Sequence, residues 1–302
     1  MTRVIMIGNG KGGVLKTSTT SAVAVILAAS GWRVLAVDLD PQGNLGHDLG
    51  YGNGDGGAGL MAAALAGRPA PVLTAVRDRL DVIPGGFRLE GMAAALNAMA
   101  RSDHGGTAPL VRSIRATADS GGYDFVLIDT PPSGSLLQEA GLEAADWLLV
   151  PSKSDLSSRG GLQDMAQRFV TARQRNPRLQ LLGVFLAGVN RSATKTVSEA
   201  RRSLARDLAG LPADTLLAAS IRHVEAAAVG AREKGRTPTE LEGSILGVGD
   251  RIAAAKAGEV VVAASTGGLA GDYESLTAEI LNRIAVAEGR TPGVAHESEV
   301  GA

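Results

Sequence analysis

The 302-residue chain contains no cysteine. That excludes disulfide frameworks, thiolate zinc sites, iron–sulfur clusters and a cysteine nucleophile. Aromatic residues supply only 3% of the chain, so the core must be built from Ala, Val, Leu and Ile, which suits parallel sheets covered by small-residue helices. The four histidines, His47, His104, His223 and His296, are scattered without metal-ligand spacing. No apolar run reaches the length of about 18 residues that a membrane span needs. The opening MTRVIMIGNGKGG has too short an apolar stretch for a signal peptide. The expectation is a cytoplasmic protein.

What is present is ordinary in bulk and uneven in detail. Hydrophobic residues make up 45% and charged residues 20%, and glycine reaches 40. The formal net charge of −1 conceals an asymmetry: Lys153–Lys256 holds 17 Lys and Arg against 10 Asp and Glu, and the remainder 13 against 21. Two readings stand, arginines solvating helix faces or a polyanion-binding face.

Short apolar strands alternate with helices along the chain. Strands are predicted over Arg3–Gly8, Arg33–Asp38, Leu80–Pro84, Asp124–Asp129, Trp147–Val150, Leu181–Val189 and Leu216–Ile221. Helices are predicted over Thr17–Ala29, Leu89–Ala100, Leu110–Ala118, Leu162–Arg175, Val197–Ala209 and Asp272–Ala287. Gly50–Gly59 reads as a mobile glycine-rich loop. Residues 243–270 form an unassigned insertion, and residues 291–302, acidic and containing Gly and Pro, a disordered tail. The fold class is therefore α/β: a single domain over residues 1–290, with a doubly wound, mostly parallel sheet flanked by helices. In such folds ligands bind at the carboxyl ends of the strands.

The first strand runs into Gly8-Asn9-Gly10-Lys11-Gly12-Gly13-Val14-Leu15-Lys16-Thr17-Ser18 and then a helix. A phosphate chain needs inward backbone N–H groups, a helix N-terminus behind them and a cation within reach. The backbone of Gly10 to Ser18 supplies the cradle, Lys16 the charge and the Thr17 hydroxyl a magnesium ligand. Leu15 stands where the pattern G-x-x-x-x-G-K-[ST] has glycine. Either its side chain points away and binding survives, or the loop rearranges and hydrolysis is slow or absent. The second strand ends in Asp38-Leu39-Asp40-Pro41-Gln42-Gly43-Asn44. Two carboxylates at i and i+2 lean to one side, which makes Asp40 the candidate for positioning water and Asp38 for the outer magnesium shell.

Lys11-Gly-Gly-Val-Leu-Lys16-Thr17 resembles the K-G-G-V-G-K-T hallmark of the ParA/MinD family of deviant Walker-A ATPases, and Asp38–Asn44 is close to what ParA proteins carry there. The resemblance implies a P-loop ATPase fold, ATP and Mg2+ as cofactors, and an ATP-sandwich homodimer in which Lys11 reaches the partner's ATP. Asp124–Asp129, followed by Thr130-Pro131-Pro132-Ser133, looks like the family's Walker B segment. A buried carboxylate needs a compensating cation, so Asp129 is expected to hold magnesium through water. Asn190, in Gly183–Arg191, is carried over as an adenine contact. Partition members bind DNA non-specifically through basic residues; Arg191, Lys195 and Arg222 align best, with Arg201 and Arg202 nearby. The implied function is plasmid or chromosome partition, on the nucleoid, with a ParB-like partner. A MinD-like membrane switch needs a basic amphipathic C-terminal helix, and the acidic end disfavours stable membrane association. A positioning scaffold with little turnover is the alternative that Leu15 leaves open.

Overall fold

The computed structural model describes residues 2–101, 106–132, 135–153, 156–190, 194–224, 232–241 and 268–290. An eight-stranded sheet runs through them in the order β3-β4-β2-β5-β1-β6-β7-β8. The strands are β1 (Arg3–Ile7), β2 (Val34–Asp38), β3 (Leu73–Arg77), β4 (Leu80–Ile83), β5 (Phe125–Asp129), β6 (Trp147–Ser152), β7 (Gln180–Val189) and β8 (Leu216–Arg222). All pairings are parallel except that of β3 with β4.

The strands are apolar at successive positions because both faces are covered. In β1, Val4 and Met6 enter one core layer while Ile5 and Ile7 enter the other. The first layer is closed by α3 (Ala58–Leu65), α4 (Arg88–Arg101), α5 (Ala108–Gly121), α6 (Leu136–Ala144), α7 (Leu156–Arg175) and α8 (Thr194–Asp207). The second is closed by α1 (Lys16–Ala29), α2 (Leu45–Leu49) and the closing helix α10 (Leu269–Ala287), with α9 (Pro238–Leu241) beside them. Helix α1 is buried continuously from Thr19 to Ala28, so it carries no polar stripe and is built of small and β-branched residues. It stops where Ser30 turns its hydroxyl back to the Ile26 carbonyl and Gly31 takes a φ of 82°.

The predicted strands all form, and β2 lies parallel to β1 with β5 between them. Strand β3 and helices α2, α3, α6 and α9 were not foreseen. Gly50–Gly59 forms a tight series of turns that passes directly into α3 at Ala58. The predicted insertion over 243–270 falls outside the described residues up to 267, and the tail of 291–302 does so entirely. No helix among the described residues is long and apolar enough to cross a membrane.

Candidate nucleotide and magnesium site

Strand order puts the site where connections diverge. From β1 the chain passes through α1 to β2 on one side, and from β5 through α6 to β6 on the other. Such a switch point opens a crevice at the carboxyl ends of β1, β2 and β5. Register brings Asp129 beside Ile7 of β1 and beside Asp38 of β2. The loop after β1 and both strand-end carboxylates therefore meet in space.

The loop is fixed at both ends by side chains. Asn9 is fully buried; its amide donates to the Pro151 carbonyl at 2.6 Å, and its oxygen accepts from the Lys11 N–H at 2.9 Å. Gln138 donates to the carbonyls of Asn9 and Pro131 at 3.2 and 3.3 Å. Gly10 lies so close to α7 that a Cβ there would sit 3.0 Å from the Gly161 carbonyl oxygen. Asn9 and Gln138 are supports that the sequence reading missed; an asparagine between two glycines of a phosphate loop is a signal that could have found the first.

Gly13 and Leu15 hold the left-handed conformation, with φ of 71° and 63°. Such residues between right-handed neighbours turn successive N–H groups into a concavity. Leu15 is the N-cap of α1, and its carbonyl accepts the Thr19 N–H at 2.9 Å. Its side chain packs on the core beneath α1 and α10 and lines a cavity of about 80 Å³ with Ser18, Ser21, Arg222, Leu269 and Tyr273. The turn that glycine makes in the ordinary loop is made here by leucine.

Lys16 is buried, and its ammonium donates to the Lys11 carbonyl at 2.9 Å. Burial lowers its pKa, while the charges of Asp129 and Asp40 act to raise it. Asp38 is fully buried and accepts from the N–H groups of Asp40 at 2.8 Å and Leu45 at 3.3 Å. Its proton affinity is pushed well above the usual carboxylate range, first by burial and then by Asp129. Asp40, 6% exposed, accepts the Gln42 N–H at 2.9 Å. Gly85 closes the wall: a Cβ there would lie 2.6 Å from Asp38 Cγ.

Asp129 tests whether the site fits a cation. It is wholly buried, and neither carboxylate oxygen has a hydrogen-bond partner. Burial pushes its pKa up to about 7; the Thr17 hydroxyl on the same side pulls it down, as does Lys16, while Asp40 and Asp48 raise it. Two stacked buried carboxylates with one set of oxygens unsatisfied match a divalent ion held through water, with Thr17 as the direct ligand. The residues present fit Mg2+.

Of the remaining candidates, Lys11 is half-buried in the loop, and Asn190 is exposed just past β7, where Val189 pairs with Arg222. Arg191 lies outside the described residues, as does the side chain of Lys195. Arg222 has an intramolecular partner that sequence did not reveal: its guanidinium pairs bidentately with Asp272 at 2.7 and 2.9 Å, 16% and 1% exposed. Arg201 donates to the Leu217 and Ala218 carbonyls, whereas Arg202 is exposed.

Residues 2–181 match the family model AAA_31, described as an AAA domain. The chain is 36% identical over 193 residues to the chromosome partitioning protein ParA of Caulobacter vibrioides, covering 63% of this chain and 70% of that protein. It is 35% identical over 185 residues to the chromosome-partitioning ATPase Soj of Thermus thermophilus, covering 61% and 68%. A Mycobacterium smegmatis structure described as cobyrinic acid a,c-diamide synthase with bound ATP analogue and magnesium superposes with a TM-score of 0.63 at 30% identity, over 78% of this chain and 93% of that one. With the loop, its lysine and the Asp129 carboxylate in this arrangement, the chain belongs to the ParA/MinD family of P-loop ATPases, which work with ATP and Mg2+.

Proposed function

We propose that the protein is a ParA-type partition ATPase: ATP closes a homodimer, the dimer binds DNA without sequence preference, and a ParB-like partner stimulates hydrolysis. The observation that carries this reading is the intact phosphate turn at Leu15, whose side chain leaves the loop interior. Partition relatives support it, and so does Lys11, which sits in the loop five residues before the lysine at the helix start.

In this reading the backbone from Gly10 to Ser18 cradles the phosphates and the Lys16 ammonium leaves the Lys11 carbonyl for phosphate oxygens. Lys11 itself extends to the nucleotide of the second copy. Asp40 orients the attacking water, held in place by its bond from Gln42. Bound Mg2+ supplies charge neutralisation for the phosphoryl oxygens. Thr17 ligates the ion, Asp129 holds its water shell, and Asp38 stands behind them. Asn190 would contact the base.

DNA contacts fall to Arg191, Lys195 and the exposed Arg202, because Arg222 is committed to Asp272. The test is DNA retention with ADP, ATP and a slowly hydrolysed analogue, for wild type, Lys16→Ala and Arg191→Glu/Lys195→Glu. Retention should need ATP or the analogue and vanish in both variants. Retention that ignores the nucleotide would sink the partition reading, and DNA retention without phosphate release would leave a binding scaffold.

A further inference from the structure

Tyr51 has no part in the site as described so far. It follows Gly50, whose φ of 74° reverses the chain at the end of α2. The reversal lays the ring back over α2 so closely that a Cβ at Gly46 would sit 3.1 Å from Tyr51 Cε2 and 1.8 Å from the Gly52 carbonyl oxygen. A Cβ at Gly54 would lie 3.7 Å from the same ring carbon. Gly52, Gly54, Gly56 and Gly57 all have positive φ, so the run turns repeatedly; Gly54 borders the ring, while Gly56 and Gly57 lie against Phe87 and Leu89.

Held this way, the Tyr51 hydroxyl is buried and has no hydrogen-bond partner. A buried phenol oxygen almost always has one, because leaving it bare is costly. Its neighbours are acidic: burial raises the proton affinity of the phenol, and the charges of Asp38, Asp129 and Asp48 raise it further. Two of those carboxylates are already engaged. Asp38 accepts from the amides of Asp40 and Leu45, and Asp48 from Ser21 and Arg232. The ring covers Gly46, next to the Leu45 whose N–H donates to Asp38, and borders Gly54, which packs on Pro84 beside the Gly85 that walls Asp38. The partnerless hydroxyl is thus carried by a ring seated at the Asp38 end of the site, where Asp38 lies in register with Asp129.

We infer that Tyr51 is a positioning residue for the magnesium site, its hydroxyl hydrogen-bonding to water of the ion's shell. A phenol suits that place because it can accept a hydrogen bond from ion-bound water and donate one to the next water. Groups in this outer position fix the ligands and raise affinity for the ion. The inference rests on the Mg2+–ATP reading of the site.

Tyr51→Phe removes the oxygen and leaves the ring in its glycine cradle. The measurement is binding of a fluorescent ADP, with chelator and across a Mg2+ titration, alongside thermal melting. The variant should need about tenfold more Mg2+, bind metal-free ADP as wild type does, and melt at the wild-type temperature or slightly above it. Superimposable Mg2+ curves for the two proteins would overturn the role of Tyr51 while leaving the ATPase reading intact. A wild type that binds no ADP at any Mg2+ concentration would overturn that reading itself.

Discussion

A leucine in the left-handed region carries roughly 1–2 kcal/mol of backbone strain, and Leu15 sits there at φ 63° and ψ 28°. What offsets the strain is the side chain's seat beside Leu269 and Tyr273. Leu15→Gly would lose both strain and seat, so stability should change by less than about 1 kcal/mol, and ATP affinity by less than about threefold. Isothermal titration and denaturant melts check this; a tenfold gain in affinity would mean that leucine distorts the cradle. Asp129 gives a prediction in pH. Its folded proton affinity exceeds the unfolded one, so the folded state binds more protons between the ordinary value of 3.8 and about 7. Stability of the metal-free protein should fall as pH rises through that window, and Asp38 acts in the same direction. In calorimetry Asp129→Asn should flatten the slope and melt higher than wild type at the alkaline end. It should also cost the protein its Mg2+-dependent gain in ADP affinity.

Among elements, the predictions concern places where backbones touch or charges are buried. Gly46→Ala would drive a methyl group into the Gly52 carbonyl, so it should destabilise by about 1–3 kcal/mol and loosen the turn that carries Tyr51. Arg222→Ala would take the guanidinium from the buried Asp272 and leave it the main-chain N–H of residue 222, at a cost of about 2–3 kcal/mol. Denaturant melts would show both losses. A fully stable Arg222→Ala that fails on DNA would restore Arg222 as a phosphate contact. The parallel strands were legible because each is a short apolar run between turn residues, and the meeting of Lys16, Thr17, Asp38, Asp40 and Asp129 at one crevice was legible because all end or follow such runs. Less legible was β3, an edge strand whose Leu73 is 39% exposed and whose pairing with β4 is irregular. Helix α3 was hidden by the glycines before it, and α6 by a short Leu-Leu-Gln-Glu-Ala-Gly-Leu-Glu-Ala stretch too brief to show a period. The Arg222–Asp272 pair joins residues 50 apart in sequence. Spacing carries no signal of such contacts; only the packing of α10 on β8 creates them.

For the whole molecule, the family match ends at residue 181, inside β7, yet the site's outer wall comes from beyond it, from β8 and α10. The matched part carries the loop and the strand-end carboxylates, whereas Arg191, Lys195 and Arg202, the residues proposed to meet DNA, lie beyond it. A chain of net charge −1 is not drawn to DNA by bulk attraction; it needs a local patch of cations. In the proposed cycle, pairing two protomers would double that patch without adding a contact within either, which would make dimerisation the control point for DNA affinity. Three phosphate contacts from each of two protomers would give a slope of log K against log salt of about −5, and a single protomer about half that. Retention on DNA, measured across a KCl series, should therefore be steep with the slow ATP analogue and shallow and weak with ADP. Lys11→Ala, which leaves the basic residues in place but removes the lysine meant for the partner's nucleotide, should give the shallow curve with both nucleotides. Equal slopes for wild type in ADP and analogue would mean that DNA is held by single protomers, and the link from nucleotide to dimer to DNA would fail.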